Sequence, residues 1–99
     1  MSNENQAFQI PQHFELGQSI MTRGVADLFN HDSHLLVPFL MRHQCGNWGE
    51  VCEEDKQVNN EATHTNQRII SVYKFKGEKF WIITEWDRSV TTALLPSEY

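Results

Sequence analysis

Two cysteines, three prolines and five glycines in 99 residues, with no long apolar run, remove several classes of protein at once. A helix that crosses a bilayer needs about 20 consecutive apolar residues, and no stretch approaches that length. The first residues carry neither the basic start nor the apolar stretch of an export signal, so the chain is expected to be cytoplasmic. Small secreted domains usually rely on several disulfides, whereas Cys45 and Cys52 alone read as free thiols of a reducing compartment. Positive charge is scarce too: eight Lys and Arg stand against thirteen Asp and Glu, a net charge of −5. Residues 1–60 hold eight acids and three bases, while residues 61–99 hold five of each. Wrapping nucleic acid requires a basic face to neutralise phosphates, so direct nucleic-acid binding is not expected. The basic residues near the last hairpin (Arg68, Lys74, Lys76, Lys79) read as solvation of a strand edge.

What is present suffices for one core. The apolar share is 39%, with 11% aromatic residues, and a chain this short cannot assemble two cores. Residues 1–10 are polar and without period and are expected to be a disordered tail, leaving residues 11–99 as a single domain. Homodimerisation is compatible with so small a domain, because association adds buried surface.

The clearest pattern lies in the last third. Ile69, Ser71, Tyr73 and Phe75 alternate with Ile70, Val72 and Lys74, and Phe80, Ile82 and Thr84 alternate with Trp81, Ile83 and Glu85. Lys76-Gly77-Glu78 separates the two runs, which predicts a β-hairpin, and Val90 to Leu95 predicts a third strand. Phe14 to Thr22 reads as an N-terminal strand with Gly17 allowing a bend. Between them lie helical patterns at Val25 to Phe29, at His34 to His43 behind an Asp32 or Ser33 cap, and at Glu50 to Asn60. On the second, Leu35, Leu36, Phe39, Leu40 and His43 share a face; on the third, Val51, Cys52 and Val58 would form a thin apolar face. The fold class expected is α+β: two or three short helices packed on a small antiparallel sheet made of the N-terminal strand and the C-terminal meander.

No complete set of catalytic groups emerges. His43, Cys45 and Cys52 are ligand types that zinc accepts, but their spacing matches no knuckle or HExxH pattern, so no metal and no cofactor is expected. Cys52 at a helix N-terminus with His43 as base resembles an activated thiol, yet Glu50, Glu53 and Glu54 surround it with negative charge that opposes a thiolate. Glu85, Asp87, Arg88 and Ser89 offer carboxylates beside a guanidinium; their plainer role is a strand-to-strand turn, with Arg88 paired to an acid of the second or third helix. The residues singled out as ligand or partner candidates are His43, Trp48, Asp87, Arg88 and Thr91.

Arg42-His43, Gly46-Asn47-Trp48-Gly49, Glu53-Glu54-Asp55-Lys56 with Asn59, Arg68 to Tyr73, Trp81 to Glu85, Asp87 to Thr92, Leu94-Leu95-Pro96 and Glu98-Tyr99 together resemble a family of small bacterial proteins. Its members are carried on plasmids, integrative elements and gene cassettes and described as plasmid-related. The resemblance spans about residues 34–99, and Asn47 departs from the Gly-Asp-Trp-Gly frequent in that family. Since the family has no established activity, the resemblance implies a mobile-element accessory and nothing catalytic. Three functions follow as expectations. The first is a non-enzymatic interaction module with an unidentified protein partner. The second is a ligand-binding or enzymatic domain with a pocket between helices and sheet lined by the five candidates. The third is DNA mimicry by Glu50, Glu53, Glu54 and Asp55.

Overall fold

The structure, a computed structural model, describes residues 14–99. The tail expected at residues 1–10 lies outside the described residues. The chain runs through strand β1 (Gln18–Met21), helix α1 (Arg23–Leu28), a 3-10 turn (Ser33–Leu36), helix α2 (Val37–Gln44) and helix α3 (Glu53–Ala62). It then forms strands β2 (Ile69–Phe75), β3 (Glu78–Thr84) and β4 (Val90–Leu94), and ends in a second 3-10 turn (Pro96–Glu98). The fold is α+β, a four-stranded sheet in the order β1-β4-β3-β2.

Local chemistry explains most boundaries. Thr22 accepts a hydrogen bond from the Val25 amide and starts α1, and Asp32 accepts from the His34 amide ahead of α2. Pro38 sits in the first turn of α2, where its missing N–H removes no helical bond. The β2–β3 hairpin turns on Lys76 and Gly77, both at positive φ (54° and 81°), as a tight turn that follows strand twist requires. Register runs from Ile69 opposite Thr84 to Phe75 opposite Glu78.

Three expectations need correction. The sheet is mixed, because β1 pairs with β4 in parallel, Gln18 opposite Val90. The N-terminal strand is also shorter than expected: Phe14 to Gly17 lies outside it, and Ile20 is exposed. In α3, which begins at Glu53, the buried residues are Asn59 and Ala62 rather than Val58 and Cys52. The reason is the neighbouring strand edge. The Asn59 amide donates to the Ile70 carbonyl at 2.8 Å and accepts from the Ile70 N–H at 3.2 Å, satisfying backbone groups that an apolar side chain would leave unpaired. The edge of β2 is further closed by the chain before α3, where Val72 exchanges hydrogen bonds with Trp48 and Glu50 (3.0 and 2.7 Å). A Cβ at Gly49 would meet the Val72 carbonyl oxygen at 2.0 Å, so glycine is required for that approach.

Helices α1 and α2 cover one face of the sheet. There Val25, Phe29, Leu36, Tyr73, Phe80, Ile82 and Ala93 form the main core. Phe29 meets Phe75 and Phe80 edge-on at centroid distances of 4.6 and 5.4 Å. Leu35, expected on that face, is exposed. A second cluster of Phe14, Trp48, Ala62 and Ile69 closes the end of the sheet where α3 stops. Pairing and alternation place Ile20, Ile70, Val72, Trp81, Ile83, Thr92 and Leu94 on the opposite, outer face, flanked at the hairpin end by Lys74 and Lys79.

Candidate functional site

Of the five residues singled out from sequence, three are core. His43, Trp48 and Thr91 are buried between the helices and the inner face of the sheet, where a pocket was expected and a packed interior is found. His43 reaches from α2 to β2 and β3: Nδ1 lies 2.5 Å from Ser71 Oγ and Nε2 lies 2.9 Å from Thr84 Oγ1. Phe14 and Trp48 close the ring edge-on at 5.2 and 5.8 Å.

The direction of proton donation through this chain follows from its far end. Thr91 Oγ1 lies 2.7 Å from the Leu16 carbonyl, which can only accept, so the Thr91 proton is committed there. Thr84 Oγ1, 2.7 Å from Thr91 Oγ1, must then donate to it. With its own proton spent, Thr84 accepts from His43 Nε2–H. Nδ1 is therefore the bare nitrogen, and Ser71 donates to it. His43 is neutral, with burial, and then the positive charge of Arg88, holding its pKa down to about 3. A serine hydroxyl aimed at an imidazole nitrogen is the arrangement of an activated nucleophile, but Ser71 and His43 are fully buried and no substrate atom can reach them. The chain is structural.

Arg88 was expected to pair with a helix acid. Instead its guanidinium donates to backbone carbonyls: Ala62 (2.5 Å), Gln67 (2.6 Å), Thr65 (2.8 Å), Glu85 (3.1 Å) and Trp86 (3.4 Å). Three of these belong to the end of α3 and the connector beyond it, where carbonyls lack helical partners and a cation is favoured by the helix dipole. A fork of five N–H donors suits a cluster of carbonyls better than a single carboxylate does. Asp87 is exposed and local: its carboxylate accepts from the Ser89 hydroxyl and amide at 2.6 and 3.1 Å, which holds its pKa below the usual carboxylate value. Asp87, Arg88 and Trp48 therefore surround no cleft. Cys52 is exposed as the residue preceding α3, and Cys45 is half-buried, both free. Among the described residues no group of three or more His, Cys, Asp or Glu side chains is placed to hold a metal ion. Among them, too, no helix is long and apolar enough to cross a membrane.

Open space lies on the outer face. A groove of about 360 Å³ has Ile70, Val72 and Trp81 as its floor, Asp55, Val58 and Asn59 of α3 as one wall, and Tyr99 with Arg68 opposite. The Tyr99 ring meets Trp81 at 5.4 Å, and its hydroxyl accepts from Arg68 at 3.0 Å. Arg68 is also tied to Glu85 by a 3.3 Å ion pair. A second, wider and more open depression of about 640 Å³ adjoins the first, shares Val58 and Arg68 with it, and adds Glu61, Thr65 and Trp86. Val58, Trp86 and Tyr99 are 59%, 57% and 66% exposed, and they converge on this one surface. None of the five sequence candidates lines it. One signal was present: β2 and β3 are apolar on both faces (Ile70, Val72, Trp81 and Ile83 as well as the inner set), a pattern for strands covered twice, yet of these four only Ile83 is buried.

Comparison of the chain with protein-family models, with curated proteins and with solved structures finds no match.

Proposed function

We propose that this chain is a non-enzymatic protein-interaction module, an accessory of a mobile genetic element as its sequence resemblance implies, acting in the cytoplasm. The observation that carries the reading is the open part of the outer face, where Trp81, Trp86, Tyr99 and Arg68 meet Val58, Ile70 and Val72 around a shallow groove. Tryptophan, tyrosine and arginine over an apolar floor is the composition of energetically dominant interface residues. Contiguous apolar surface left open on a small domain marks an interaction site more often than it marks idle surface. The filled interior around His43 supports the same reading, since it leaves no buried chamber between α2 and the sheet for a substrate.

The test is capture with a tagged full-length chain, followed by reconstitution with the purified captured protein and light scattering. A complex of fixed stoichiometry that is lost in Val58→Lys, with the circular dichroism spectrum of the variant unchanged, supports the module. Repeated captures that retain a small molecule and no protein overturn it. The same measurement on the chain alone reads homodimerisation.

A further inference from the structure

We infer that the outer-face groove receives a segment in which a bulky apolar residue sits next to a basic one, presented by a positively charged partner protein. The inference rests on the interaction-module reading and specifies its partner. The groove supplies the apolar half of the recognition. Its floor of Ile70, Val72 and Trp81 and its flank of Val51 and Val58 leave about 360 Å³, the lower end of the range for a pocket that encloses a small ligand and enough for a large apolar side chain.

The adjoining depression supplies the basic half. Glu61 and the exposed Trp86 both line it, so it offers a Lys or Arg a carboxylate for an ion pair and an aromatic ring for a cation–π contact. Tyr99 already uses its ring this way, with the Arg68 guanidinium 5.6 Å from its centroid. Arg88 brings one cation to the second depression, donating to the carbonyls of Ala62, Thr65, Gln67 and Trp86 that line it, and two acids across the pair of depressions outweigh it. Asp55 and Glu61 line them, and among the described residues neither is in an ion pair. Arg68, which lines both, is neutralised by Glu85 at 3.3 Å. Lys56 is engaged with Glu53, and Lys74 with Glu50. Glu61 adds a further point, because an acid in the last turn of a helix faces the negative end of the dipole and gains nothing from it. Two depressions sharing Val58 define a spacing as well: the apolar and basic residues must lie close together on the partner segment.

The experiment uses the full chain and three fluorescein-labelled octapeptides: one with a single Leu between two Arg, one with the Leu between two Glu, and one with the two Arg but Gly for Leu. The Arg-Leu peptide is expected to bind at least tenfold tighter than either control, with affinity falling as salt rises. Glu61→Gln should weaken it several-fold and flatten the salt dependence, while Val58→Ser should abolish binding with the unfolding midpoint unchanged. Equal or tighter binding of the Glu-Leu peptide overturns the basic partner and leaves the interaction module standing. Binding of the Arg-Gly peptide equal to that of Arg-Leu overturns the apolar anchor. Self-association by light scattering that Val58→Ser abolishes makes a second copy the occupant and overturns the inference. If none of the peptides binds while a captured protein does, and that protein still binds Val58→Ser, the site is wrong though the module reading survives.

Discussion

The two faces of one sheet have opposite fates in this molecule. On the inner face the buried polar side chains are paired: Ser71, His43, Thr84, Thr91 and the Leu16 carbonyl form a single directed chain of hydrogen bonds sealed by aromatic rings. On the outer face, Trp81, Ile70 and Val72 lie partly exposed between a helix wall on one side and Tyr99 on the other. The same alternating strands built both surfaces. The difference lies in what α1 and α2 cover: they bury the inner face, while on the outer face Ile83 and Leu94 are buried and Ile70, Val72 and Trp81 stay partly exposed.

The largest effect that would break this comparison is loss of His43. His43→Ala leaves Ser71 and Thr84 buried with unmet partners and opens a cavity, so unfolding is expected to become easier by about 3–5 kcal/mol. A chemical-denaturation midpoint showing a loss below about 1 kcal/mol would mean the inner chain is not the stabilising element described. Arg88→Ala comes next. It strips several carbonyls at the end of α3 of one shared cationic donor, with an expected cost of about 3 kcal/mol, and Arg88→Lys should restore only part because an ammonium cannot span five acceptors. Full rescue by lysine would show that charge alone, not the fork, matters.

These two sites also show where sequence reasoning reaches its limit. The hairpin was legible because alternation and a Lys-Gly turn are local signals, and the Asp32 cap and the Pro38 position were legible for the same reason. Arg88 was recognised as structural in role but assigned the wrong partner. A carbonyl is offered by every residue, so nothing in the sequence marks Ala62, Thr65 and Gln67 as acceptors. The His43 chain joins residues 28 and 41 positions apart, and hydroxyl residues in strands look alike whether they face inward or outward. The parallel pairing of β1 was hidden because it depends on how the chain returns after three helices, not on β1 itself. Val58 was placed inward by helical spacing, yet the unpaired edge of β2 demanded Asn59 there.

The pH dependence of stability sharpens the inner-face account. His43 titrates near 6.5 when unfolded and about 3 when folded, so below 6.5 the unfolded chain binds a proton the folded chain refuses. Stability is therefore fully present above about pH 6.5 and is lost as pH falls, by about 1.4 kcal/mol per pH unit in the middle of the window. Glu98, held low chiefly by Thr22, and Asp87, held low chiefly by Ser89, act in the same direction. Their stability disappears only at pH values where carboxylates protonate, so of these three groups only His43 acts between pH 6.5 and 5. Denaturation midpoints that stay flat across that interval would contradict a buried neutral imidazole. A companion measurement, long-range ¹H–¹⁵N correlation of the His43 ring, should show the proton on Nε2; a proton on Nδ1 would require Thr84 to donate to Nε2 and leave the single Thr91 proton to serve both Thr84 and the Leu16 carbonyl, which would contradict the assigned chain.

The smallest effect expected is also the most discriminating between the faces. Val25 and Val58 both sit on helices, but Val25 is fully buried against the inner core while Val58 stands open beside the groove. Val25→Ala removes methyl groups from a packed interior and should cost about 2 kcal/mol. The identical change at Val58 removes little buried area, and alanine is the better helix former by about half a kcal/mol, so Val58→Ala should leave stability unchanged or slightly raised. A loss at Val58 comparable to that at Val25 would mean that the outer face is packed in solution, and the surface assigned to a partner would already be occupied.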